Sequence, residues 1–278
     1  MRAKAITCAL IFLHGEAAAS AWPQQDGHAF LSLGYEVAVP RDELRADADD
    51  PAPEFEGYRT VYFEYGLTPR LTVGLDYGGI ETNITGIVND EMERLAKQQG
   101  YTSEQLAALD ATDQPVIATW SGIAFLRAAI GPLDARHRFA VQLGFGQRHY
   151  EQKGLYYGLE EMKTETILRP AVAYGYGFGG ARVSGWAGLE ASVEFREHTS
   201  GEPKKLDAIL GLRLGEASRL AYLLALQSGD FPGSDPYAKL LPGVVVRVWR
   251  NLSVESSLIW GVAGDRTVGA RIGLWVEF

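Results

Sequence analysis

The strongest constraint in this chain is an alternation of apolar and polar side chains with a period of two residues, renewed in segment after segment. It is clearest at the C-terminal end. Val268, Ala270, Ile272, Leu274, Val276 and Phe278 are apolar, and Thr267, Gly269, Arg271, Gly273, Trp275 and Glu277 stand between them. Successive side chains of a strand point to opposite faces, so such a segment suits an apolar medium on one side and water on the other.

The same pattern runs upstream. Ala29, Leu31, Leu33, Tyr35 and Val37 alternate with Phe30, Ser32, Gly34 and Glu36. Val61, Phe63, Tyr65 and Leu67 alternate with Tyr62, Glu64 and Gly66, and Leu71, Val73, Leu75 and Tyr77 with Thr72, Gly74 and Asp76. Further alternating segments run over 120–130, 139–145, 166–174, 183–195, 206–214, 220–226, 240–248 and 252–262, which with the last makes twelve. The connections alternate in length. Short ones fall near 68–70, 131–136, 175–180, 215–218 and 250–251, and mostly longer ones near 39–56, 79–118, 147–163, 197–205, 229–237 and 263–266. An even number of antiparallel strands with this rhythm predicts an up-and-down barrel whose ends lie on the short-turn side.

The beginning of the chain reads as an export signal over 1–21. Arg2 and Lys4 precede a short apolar run from Ala5 to Leu13, and Ala19, Ser20 and Ala21 supply small residues for cleavage before Trp22. Residues 22–278 then form a single domain. The one cysteine, Cys8, lies inside the signal, so the mature chain has no disulfide, thiolate metal site or cysteine nucleophile. No segment approaches the roughly 18 apolar residues of a membrane helix. An exported chain with a half-apolar strand pattern points to the outer membrane as a barrel. Removing Arg2, Lys4 and Glu16 leaves 24 basic against 34 acidic side chains, about −10, which argues against nucleic acid as a partner.

A free carboxylate directly follows the aromatic Phe278. This resembles the C-terminal signature of bacterial outer-membrane barrels, and it implies that Phe278 is read by the barrel assembly machinery. The hairpin from Tyr62 to Gly74, with its tight turn at Thr68-Pro69-Arg70, is similar to hairpins of outer-membrane proteins grouped as transporters, some linked to uptake of aromatic compounds. The barrel resemblance covers nearly the whole mature chain. It implies an all-β transmembrane fold in a Gram-negative outer membrane, in contact with lipids and lipopolysaccharide.

In that setting the short turns face the periplasm. Tyr35, Tyr77, Trp120, Phe145 and Trp260 then fall at the outer ends of the lipid-facing rows, and Tyr65, Phe139, Tyr174, Tyr222 and Phe278 at the inner ends. These form two aromatic girdles. Pro170 and Pro242 fall inside strands, where each removes a ladder donor, so bulges or shifted strand ends are expected there. The second long loop has a helical period: Asp90 to Gln99 forms one short helix, and Thr102-Ser103-Glu104-Gln105 resembles a capping box opening another to about Asp110.

No catalytic constellation, metal site or cofactor site emerges. His28 and His137 fall at periplasmic ends, and His149 and His198 in or near outer loops without a partnering serine. The acids of the first outer loop, from Asp42 to Glu56, lack the ordered spacing of a calcium loop. The glycines of 175–180 join strand to strand with no helix following, unlike a phosphate cradle.

The polar rows say more. They carry Arg127, Arg138, Arg169, Arg182, Arg213, Arg219, Arg247 and Arg271, with Glu36, Glu64, Asp76, Glu190, Glu194, Asp207 and Glu255. Every basic residue in this set is arginine and none is lysine. Arginine pairs with carboxylates in a planar fork and stays charged. The set reads either as an ion-pair network stiffening a hydrated lumen or as a path for small polar or anionic solutes. A passive channel leads. A lipid-modifying enzyme of the phospholipase or lipid A deacylase type, and a non-conducting surface or assembly protein, remain open beside it.

Overall fold

The computed structural model describes residues 21–42, 44, 56–81, 118–153, 160–180, 182–198, 201–215, 218–232 and 235–278. The expected helices over 90–110 and most of the export signal lie outside these residues. In chain order the strands are β1 (Ala29–Pro40), β2 (Glu56–Thr68), β3 (Leu71–Glu81), β4 (Ala118–Ile130), β5 (His137–Lys153), β6 (Glu160–Gly179) and β7 (Val183–Val193). They continue with β8 (Phe195–Arg196), β9 (Lys204–Leu214), β10 (Leu220–Asp230), β11 (Tyr237–Arg247), β12 (Leu252–Ala263) and β13 (Thr267–Glu277).

Each strand pairs antiparallel with its neighbour, and β1 pairs with β13, so the sheet has no free edge. Strands β7 and β8 both pair with β6 and are two parts of one staff, which makes a closed barrel of twelve. The last residue completes the seam. Ala29 N–H donates to the Phe278 carbonyl at 2.6 Å, and Phe278 N–H donates to the Ala29 carbonyl at 3.0 Å.

The alternation read from the sequence decides which face is which. Leu143, Phe145, Val172, Leu258, Ile272 and Leu274 are exposed on the outside, while their strand neighbours Arg169, Ile259, Gly273 and Trp275 are buried. So large a band of exposed apolar side chains would aggregate in water and is stable only in lipid. At the loop end Tyr77, Trp120 and His149 form a run of rings, with centroids 5.8 and 4.1 Å apart. At the turn end Phe139 meets Tyr174 at 5.2 Å, and His137 meets Tyr176 at 4.9 Å.

Several boundaries differ from the sequence reading. Strand β5 runs on to Lys153, so Phe145 lies in the middle of the wall, and His149 takes the place expected for it in the outer girdle. Strand β6 starts at Glu160 and continues through the glycines to Gly179, adding Tyr176 and Phe178 to the inner girdle. Glycine is poor at ending a strand when both neighbouring strands offer a full ladder.

The prolines do not make bulges. On both sides of Pro170 the register with β7 and β8 is the same, and only the pairs at positions 169 and 170 drop out. Next to this gap the ladder on the other side runs on unbroken, the Glu194 N–H donating to the Pro203 carbonyl at 2.8 Å. At Pro242 the β11–β12 pairs stop at Leu240 and resume at Gly243 without a shift. The register shift in that pair lies at Ala238, away from the proline. Losing one ladder bond is tolerated because the partner on the opposite side holds the strand in place.

Placing a cation in the outer apolar band tests the orientation of the rows. Leu274→Arg is expected to lower stability by about 2–4 kcal/mol, whereas Gln227→Arg on the inner row, opposite Asp207 in register, costs far less. Equilibrium unfolding in lipid vesicles measures both.

Candidate functional site: the barrel interior

Contacts between strands that are not neighbours identify the interior. Arg127 on β4 reaches Glu190 on β7 at 3.5 Å, and Arg169 on β6 reaches Asp76 on β3 at 2.6 Å. Either contact is possible only across the inside of the barrel.

Arg127 is the centre of the largest network. It is 2 % exposed and its partner Glu64 is 1 % exposed. Arg127 Nη1 donates to Glu64 Oε1, Nε donates to Gln142 Oε1 at 3.0 Å, and Nη2 donates to the Tyr62 hydroxyl at 3.1 Å. The Tyr62 hydroxyl in turn donates to Glu64 Oε1 at 2.5 Å. A buried guanidinium is costly unless its donors find acceptors, and this one finds four partners.

The second Glu64 oxygen holds the N-terminal segment. Gln24 Nε2 donates to Glu64 Oε2 at 2.9 Å, and Gln24 N–H donates to the Thr72 hydroxyl at 2.9 Å. Residues 21–24 therefore lie inside the barrel at its turn end, and 25–27 lie exposed at its rim. Trp22 is buried against Gly175, where a side chain would collide with the indole. Gly66 is needed for the same reason, because a Cβ there would strike the carbonyls of Gln24 and Gln25. Gly27 turns the segment into β1 with φ of 74°, a conformation glycine adopts without strain.

Around this segment the interior is not hydrated, contrary to the sequence reading. Trp22, Phe30, Trp186, Ile209, Ala221, Leu223, Val245 and Trp275 form one buried cluster on the inner rows, with Tyr62 packed against it. The signal was visible: Phe30, Phe125, Trp186 and Trp275 all sit at polar-row positions of the alternation.

A second network lies on the β12–β13–β1 side. Arg271 Nη1 donates to Glu36 Oε1 at 2.5 Å, and Arg271 Nε lies 3.3 Å from Glu255 Oε1. Glu255 also accepts from the Ser257 hydroxyl and the Trp275 indole, both at 3.1 Å. Glu194 pairs with Arg196 at 2.6 Å and Lys205 at 3.6 Å.

Of the expected lumen set, the structure thus brings together Arg127, Arg169 and Arg271 with Glu36, Glu64, Asp76, Glu190 and Glu255. Asp207 lies opposite Glu190 in the β7–β9 register. Arg138, Arg182, Arg213, Arg219 and Arg247 do not join these pairs. They stand at or next to strand ends on the turn side and gather around the periplasmic mouth. The expectation that no lysine belongs to the interior fails, because Lys205 and Lys239 lie on inner rows and pair with Glu194 and Asp265. Their strands start earlier than the apolar pattern suggested. For the same reason Arg148 with buried Glu165, 3.7 Å apart, was placed in a loop. Tyr62 and Gln142 stand on the polar rows of the alternation but carry no charge to single them out, and Gln24 lies outside the alternating segments.

No protein-family model matches the chain, and no curated protein matches it by sequence. Solved structures do match in fold. The COG4313 outer membrane channel from Pseudomonas putida F1 matches with a TM-score of 0.50 and 11% identity, covering 94% of this chain and 99% of that one. The translocator domain of the autotransporter NalP from Neisseria meningitidis matches with a TM-score of 0.49 and 10% identity, covering 92% and 90%. The CymD monoaromatic hydrocarbon channel matches with a TM-score of 0.39 and 11% identity, covering 91% and 88%. The closed barrel, its apolar exterior and its aromatic girdles, with the fold shared with the COG4313 channel, make the architecture that of a bacterial outer-membrane β-barrel, and the outer membrane is its location.

Removing Glu64 leaves a buried guanidinium short of its main acceptor. Glu64→Ala is expected to destabilise the barrel by about 3–5 kcal/mol. Glu190→Ala should cost clearly less, because Arg127 then keeps Glu64, Gln142 and Tyr62. Urea unfolding in detergent orders the two.

Proposed function

We propose that the protein is a passive outer-membrane channel for small polar or anionic solutes, closed in the described form by residues 21–27 at the periplasmic end. The observation that carries this reading is the crossing of the interior by charged side chains, Arg127 to Glu190 and Arg169 to Asp76. A barrel that served only as a wall would be at least as stable with an apolar filling, since buried ion pairs rarely outdo one. Fixed charges along a path, by contrast, select what passes. The closure supports the same reading. It rests on two hydrogen bonds from Gln24, one from the Gly27 N–H to the Gly66 carbonyl, and the packing of Trp22, contacts that water and small movements can replace. The position of Phe278 at the seam supports its role as an assembly signal, and the outer band supports contact with lipids and lipopolysaccharide.

Purified protein in planar bilayers should give discrete conductance steps. The double variant Trp22→Ala with Gln24→Ala should open more often, and Arg127→Ala or Arg247→Ala should shift the anion preference. A barrel that stays silent both with and without the N-terminal changes contradicts the proposal.

A second reading draws on one outward-facing pair. His149 Nδ1 lies 3.1 Å from the Thr164 hydroxyl, and the imidazole stacks on Trp120 at 4.1 Å. These residues stand on lipid-facing rows towards the loop end, where a phospholipid or lipid A ester would meet them. His198, by contrast, is exposed and lies 4.0 Å from Glu197. If the His149 pair hydrolyses lipid esters, turnover in mixed micelles is lost in both His149→Ala and Thr164→Val. No turnover by the native barrel removes this reading.

A further inference from the structure

At the periplasmic mouth a small recess lies between β7, β9 and the β11–β12–β13 corner. Its open volume is ≈ 10 Å³, about the space one water centre needs. The floor is made by Trp186 and Trp275, and the walls by Arg213, Arg247 and Arg250, with Glu277 as the one acid of the lining. Three guanidiniums against one carboxylate leave the recess positive.

The indole of Trp186 supplies a second, independent observation. Trp186 is 9 % exposed, and its Nε1–H is buried without an acceptor. Buried donors in folded proteins are nearly always satisfied, so an orphan donor on a residue that lines a charged recess asks for an acceptor. The other floor tryptophan shows the contrast, since Trp275 Nε1 is already satisfied by Glu255 at 3.1 Å. The ring of Trp186 is held in place. Gly211 opposite it has no side chain, so the indole lies flat on the wall, and the Arg213 guanidinium stacks over it 5.4 Å from the centroid. Arg247 is the last residue of β11 and pairs in register with Ser253, which also lines the recess. Trp186, Arg213, Arg247 and Arg250 therefore line a space that admits one oxygen of an anionic head, with the rest of the head at the open mouth.

We infer that this recess is a binding site for an oxyanion head, a carboxylate or phosphate group, accepted by the Trp186 indole N–H together with Arg247 and Arg250. Guanidiniums match the planar fork of a carboxylate and bind phosphate equally well. Binding needs no conduction, so the site stands apart from the channel reading.

The test uses the folded barrel in detergent with nitrogen-15-labelled tryptophan. The Trp186 indole resonance is assigned from Trp186→Phe and followed on adding sodium benzoate, inorganic phosphate or sodium chloride at matched ionic strength. A saturable shift of this resonance with benzoate or phosphate, and not with chloride, is expected. The stronger of the two reports whether carboxylate or phosphate is preferred. Arg247→Gln should weaken the response about tenfold or more, and Arg41→Gln at the opposite, loop end should leave it unchanged. If the Trp186 resonance stays still with both oxyanions, or moves equally with chloride, the site does not exist. The wild-type titration decides this even if Arg247→Gln fails to fold. Because no conductance is measured, a silent channel and an empty site give separate results.

Discussion

Inside a bilayer no water is present to satisfy a backbone N–H or carbonyl, so every such group must find a partner within the protein. A sheet meets that demand only by closing on itself. Here the closure is the β1–β13 seam, finished by the reciprocal bonds between Ala29 and Phe278. Once the sheet is closed, the alternation of side chains has only two destinations, lipid and interior. The positions of Pro170 and Pro242 show how firmly the ladder is fixed. Each opens a gap, and the register on both sides of the gap is unchanged.

The interior is then a problem of filling. A barrel of twelve strands is too wide for its wall side chains alone to pack as tightly as in an eight-stranded one. This chain uses two kinds of filling. Towards the turn end, residues 21–27 bring in Trp22 and Gln24, and aromatic side chains of the inner rows pack around them. Charged side chains reach across the remaining space, each arginine meeting carboxylates from other strands. The two meet at Glu64, whose oxygens serve Arg127 and Gln24 at once. A movement of the N-terminal segment therefore disturbs the Arg127–Glu64 pair.

Much of the fold was legible in the sequence, because the alternation reports directly which side chains can face lipid. Leu274, Leu143 and Val246 all face outwards as read. The strand ends were less legible. Beyond the hydrocarbon layer a strand no longer needs apolar rows, so β5 and β6 continue through polar residues such as Arg148 and Lys163 without a change the pattern could report. The interior was read by charge alone. That found the members of the central pairs, and missed the partners that carry no charge and the aromatic filling. Phe30 and Trp275 stood at inner positions in plain view, but an inner row was taken to mean water. The N-terminal segment left no periodic trace, since a short extended insert has no repeat.

The account rests on one face of every strand meeting lipid while the other meets a packed, charged interior. The chain has a single cysteine, Cys8, before the described barrel, so single cysteines can be introduced one at a time from 268 to 278 and spin-labelled. In lipid vesicles the accessibility of each label to dissolved oxygen, relative to a water-soluble nickel complex, reads its surroundings. The expected profile has a period of two, with oxygen maxima at positions 270, 272 and 274 and minima at 271, 273 and 275. A profile without that period, or one with its maxima at the odd positions, would contradict the structure described.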